Sequence, residues 1–85
     1  MRAFLWLGQM HPEGLGDGAV VGVAAARAVD AARLLRRGGW HKIKPEAACV
    51  LKAGDAWAVE LLAAPGVVMW RAAVDDDDKP WHRSG

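Results

Sequence analysis

The stretch Pro45-Glu-Ala-Ala-Cys-Val-Leu-Lys-Ala-Gly54-Asp55-Ala-Trp-Ala-Val-Glu-Leu-Leu62 decides the fold. Divided at Gly54-Asp55, it gives two apolar arms, Ala48–Ala53 and Ala56–Leu62, and reads as a β-hairpin. Divided instead with Pro45 in a first helical turn and Gly54 as the stop, its first half reads as a short helix. The alternation of Trp57, Val59 and Leu61 against Glu60 favours the hairpin, and with it a chain that has a single long helix.

Upstream, residues 40–47 form a connection in which Pro45 biases Lys44 to extended geometry. Before it lies the one clear amphipathic period. From Ala25 to Arg37, Ala25, Ala28, Val29, Ala31, Ala32, Leu34 and Leu35 share one arc of a helical wheel. Arg27, Asp30, Arg33 and Arg37 share the other, and Gly38-Gly39 ends the helix after a basic last turn. Further upstream, Ala19–Ala24 is a valine-rich strand, and residues 10–18 are a loop rich in glycine. Arg2–Gly8 is a strand apolar on both sides, with Ala3, Leu5 and Leu7 facing one way and Phe4 and Trp6 the other. Downstream, Pro65-Gly66 is a turn and Val67–Val74 a strand, also apolar on both sides.

The expected fold is therefore α+β: a mostly antiparallel sheet in the order β-β-α-β-β-β, with one amphipathic helix on one face. Residues 1–74 form one domain, and residues 75–85 an acidic tail, mobile unless Trp81 docks. One helix leaves the second sheet face bare, although Phe4, Trp6 and Trp70 show no polar alternation. A homodimer packed sheet on sheet is the expected remedy, with a partner protein or the tail as the other covers.

Composition narrows the function. The chain of 85 residues has no Tyr, Thr or Asn and only one Gln, one Ser and one Cys, so most polar chemistry has no residue to carry it. A lone Cys49 forms no internal disulfide, and no secretory or membrane-spanning run is evident, which points to the cytoplasm and away from membranes. Seventeen alanines beside many Arg and Gly resemble a bacterial or phage coding bias. Cys49 sits in an apolar run and reads as a packed thiol, Ser84 lies in the tail, and the carboxylates are scattered, so no enzyme is expected. His11, His41, His82 and Cys49 lack the short paired spacings of a metal site, and Asp75–Asp78 lacks the alternating ligands of a calcium loop. Neither metal nor cofactor is expected. The degenerate glycine motif from Gly14 to Ala19 precedes a strand rather than a helix, which argues against a dinucleotide site. Asp75–Lys79 also spells an enterokinase site and carries no functional reading.

Two binding readings remain. The first is a non-enzymatic protein-interaction module, an accessory subunit or inhibitor that associates with itself or with another protein, with Phe4, Trp6, Trp40, Trp70 and Trp81 as interface residues. The second is a weak, non-specific nucleic-acid binder. Seven Arg or Lys against three acids in residues 1–44 supply a basic half, and Arg27, Arg33, Arg37, Lys42 and Lys44 its phosphate contacts.

Overall fold

The computed structural model describes residues 1–14, 18–72 and 81–84. Five strands form one sheet: β1 (Arg2–Gln9), β2 (Ala19–Ala25), β3 (Cys49–Leu51), β4 (Met69–Ala72) and β5 (His82–Arg83). Their spatial order is β3-β1-β2-β4-β5, and every neighbouring pair is antiparallel. Helices α1 (Ala28–Arg37) and α2 (Ala56–Ala63) complete an α+β domain, with a 3-10 turn at Pro45–Ala47.

The strand period sorts side chains onto two faces. Phe4, Trp6, Val21 and Val23 join Ala31, Ala32 and Leu35 of α1 in one core. Ala3, Leu5, Val20 and Ala24 join Ala58 and Leu61 of α2 in the other. The double-sided apolar character of β1 and β2 thus has a cause within the chain: each face is covered by its own helix.

Three expectations are corrected. Residues 56–62 are helical rather than extended, so the expected hairpin keeps only its first arm, as β3. The Asp55 carboxylate accepts the Trp57 N–H at 2.9 Å and caps α2, Ala, Leu and Glu favour its propagation, and Gly66, at φ 80°, turns the chain after it. The alternation at Trp57, Val59 and Leu61 was misleading: Val59 is exposed, while Ala58 and Leu61 face the sheet at helical spacing. The rival helix from Pro45 to Gly54 amounts to the 3-10 turn alone. Second, α1 starts at Ala28 because β2 runs on to Ala25, and Val29 is exposed rather than on the buried arc. Third, the mobility expected of residues 75–85 does not extend to residues 81–83, because Trp81 docks: it is buried, and His82 and Arg83 pair with Trp70 and Met69. The acidic run at residues 75–78 lies outside the described residues, as do residues 73 and 74 of the last expected strand.

Gly22 sets how closely α2 approaches. A Cβ there would lie 2.8 Å from Leu61 Cδ1 and 2.8 Å from the Phe4 carbonyl oxygen, both inside van der Waals contact. The missing side chain is filled by Leu61, whose complete burial stabilises the helix on the sheet by about 1.5–3 kcal/mol.

Candidate functional site

The second half of β1 departs from regular pairing. Trp6 faces Val21 and Gln9 faces Ala19, so three steps on β1 match two on β2, a bulge made possible by Gly8 at φ 67°. Gln9 Nε2 donates to the Leu7 carbonyl at 3.1 Å within the bulge. Leu7 is thereby released from the alternation expected of it and is exposed, as is Met10, at 74%.

The chain then turns at Pro12. Gly14 N–H donates to the His11 carbonyl at 2.8 Å, and Glu13 N–H donates to His11 Nδ1 at 3.1 Å, which fixes the ring's orientation and leaves Nε2 to carry the proton of the neutral ring. The turn rests on the end of α1. Gly39, at φ 94°, has no side chain to collide with Pro12, whose Cβ would otherwise be 3.1 Å from it.

His11 stands edge-on to two tryptophans, with centroids 5.5 Å from Trp40 and 4.5 Å from Trp70. His82 of β5 also lies against Trp70, tilted at 4.9 Å. Trp40 is buried beneath, its indole N–H donating to Ser84 Oγ at 3.3 Å. Two concavities meet at this ridge and share His11 and Pro12. One, of about 370 Å³, is lined by Gln9, Met10, His41 and Lys42; the other, of about 400 Å³, by Glu13, Trp70, Arg83 and Ser84. The two adjoining concavities, called the groove below, hold Met10 and Lys42 in one half and Trp70 and Arg83 in the other, on either side of His11 and Pro12.

The loop carrying His41 and Lys42 is held from below. Arg36 donates through Nε and Nη2 to the Ile43 carbonyl at 3.1 and 2.6 Å, and Trp6 Nε1 donates to the Lys44 carbonyl at 2.9 Å. Ile43 is itself buried in the α1-side core.

Of the five expected interface residues, only Trp70 reaches this surface. Phe4, Trp6 and Trp40 are 1–2% exposed inside the α1-side core, and Trp81 is buried on the α2 side, so these four serve the fold. Of the expected phosphate contacts, Lys42 lines the groove and Lys44 and Arg37 are exposed elsewhere on the loop and helix. Arg27 and Arg33 share the Asp30 carboxylate, at 3.1 and 3.8 Å. Asp30 holds the Arg27 guanidinium above its ordinary pKa, first through the hydrogen bond and then through its charge. The groove adds Met10, His11, His41 and Arg83. Gly8 inside a strand pattern is the sequence mark of the bulge that exposes Met10, whereas Arg83 reaches the groove through the pairing of β5 with β4.

Cys49 is exposed on β3 rather than packed, and its register partner is Leu5. Among the described residues no three His, Cys, Asp or Glu side chains gather as metal ligands do, and no described helix is long and apolar enough to cross a membrane. Of the glycine motif, residues 15–17 lie outside the described residues, and Ala19 opens β2. Comparison with family models, curated proteins and solved structures gave no match.

Proposed function

We propose that the protein is a non-enzymatic protein-interaction module whose binding surface is the groove between Lys42 and Arg83, and that it takes an acidic segment of a partner protein with an apolar anchor. The observation that carries this reading is the pairing of a half-exposed Trp70, framed by His11 and His82, with a cation in each of the two concavities. Trp, Met and Arg are the residue types enriched at the centres of protein interfaces, and methionine adapts to the shape of its partner. Glu13 is the formal negative charge among the described lining residues, against Lys42 and Arg83. An extended segment crossing the His11–Pro12 ridge meets Met10 and Trp70 midway and a cation on either side. The contact is small and suits a transient complex.

A random-peptide display selection against the folded chain tests this. Recovered peptides carry carboxylates around a large apolar residue, and the Lys42→Glu, Arg83→Glu double variant weakens their binding by about tenfold or more. Added salt weakens it further. Peptides without acids, or binding that ignores the double variant, overturn the reading. Tighter retention of oligodeoxythymidylate, lost in the same variant, would replace it with nucleic-acid binding.

A further inference from the structure

The groove's second half is built by residues that follow Trp81. Arg83 and Ser84 line it, His82 lies against Trp70, Ser84 N–H donates to the Val68 carbonyl at 2.9 Å, and Ser84 Oγ accepts the Trp40 indole N–H. Strand β5 has two residues, too few to hold itself in place by pairing alone. What anchors it lies on the opposite face. The Trp81 ring is edge-on to Trp57 of α2, centroids 5.7 Å apart and planes at 76°. Arg71 of β4 is 6% exposed, and its guanidinium lies 4.9 Å from the Trp57 ring centre and 5.6 Å from that of Trp81. Buried cation–π contacts and edge-on aromatic pairs are both attractive beyond the area they bury.

The anchor also has a cost. The Trp81 indole N–H is buried with no hydrogen-bond partner among the described residues, so docking takes it out of water and none of those residues replaces that bond. The segment from Trp81 to Ser84 is therefore a strap over the sheet edge, held by the three-member stack on one face and completing the groove on the other.

We infer that Trp57 and Trp81, neither of which lines the groove, are positioning residues for it: the Trp57–Arg71–Trp81 stack holds Arg83 and Ser84 at the binding surface. By linkage, a segment bound in the groove tightens the strap, and loss of the stack weakens the groove in proportion to the fall in the docked fraction of the strap. The consequence for partner affinity rests on the function proposed above; the mechanical coupling does not.

Hydrogen exchange followed by NMR on the full chain tests the coupling without any partner. Trp57→Leu keeps apolar bulk but removes the ring, and Trp57→Phe restores a ring. Trp57→Leu should speed exchange of the Ser84 amide and the Trp40 indole N–H by about tenfold, the loss expected from one aromatic pair and its cation contact. Amides at the centre of β1 and β2 should keep their rates, and Trp57→Phe should recover most of the protection. Trp81→Leu breaks the same stack from the other side and should reproduce the result. Faster exchange confined to α2, or spread evenly over the whole chain, overturns the coupling. Peptides selected on the native chain should, once bound, slow exchange of the Ser84 amide in Trp57→Leu back toward its rate in the native chain, because they bind the docked strap. Bound peptide that leaves Ser84 exchange unchanged also overturns the inference, whereas altered exchange with no peptide ever bound at the groove overturns the proposed function and leaves the coupling standing.

Discussion

A methyl group at Gly22 has nowhere to go, since Leu61 can swing aside only by opening the α2-side core and the Phe4 carbonyl is part of the β1 ladder. Gly22→Ala should destabilise the fold by about 1–3 kcal/mol, the usual cost of overpacking. The check is a lower urea midpoint with an unchanged slope. Arg36 is the second residue whose role exceeds its appearance. As a charged side chain on the last turn of α1 it looks like part of a solvated face, yet it spends two donors on the Ile43 carbonyl. Arg36→Met should cost about 1–3 kcal/mol, because a hydrogen bond from a charged group is lost and a carbonyl is left without its partner. Faster exchange in residues 40–44 would accompany it. Neither role was legible in the sequence. Gly22 is one small residue in a valine run, and Arg36 is one arginine of several, until the neighbours that meet them are placed.

At the scale of elements, β1, β2 and α1 could be read from periodicity alone, because each combines its own local pattern with burial of that pattern. The sequence failed at α2, where a period of two and a helical spacing coincide over a few apolar residues, and the weight belonged on the cap. Asp55 before Ala56, with Pro65-Gly66 after the run, is a helix start and stop, while Gly54-Asp55 as a hairpin turn explains only the first arm. Asp55→Ala should destabilise the protein by about 0.5–2 kcal/mol in urea unfolding, and a strand at that position would not respond to loss of the cap. The groove was partly legible for the same reason. Trp70 and Lys42 belong to patterned or charged segments, whereas Met10 is displayed by a bulge and Arg83 arrives by long-range docking.

For the whole molecule, the decisive feature is that α1 and α2 cover opposite faces of one sheet. The expected homodimer was motivated by a bare face, and that motive is gone. Among the described residues the edge strands offer little in its place: β3 has three residues flanked by the 3-10 turn and Lys52, and β5 has two with an arginine. Short, charged edges resist pairing with another chain. Light scattering behind a sizing column should therefore give the mass of one chain, 9.1 kDa, in both low and high salt. A mass twice that would return self-association to the centre of the argument, with the groove as its first candidate surface.

The placement of the five indoles has an optical consequence. Trp57 and Trp81, edge to face at 5.7 Å, are two chromophores close enough to couple, and their near-ultraviolet circular dichroism should collapse once the strap leaves its seat. Trp70 sits half-exposed in contact with two imidazoles, so its emission should change whenever something enters beside it. Trp6 is shut in the core and supplies a steady background until the chain unfolds, whereas Trp40 loses its Ser84 partner when the strap is released. One unlabelled sample thus separates three events by colour and sign: arrival of a ligand, release of the strap, and loss of the fold.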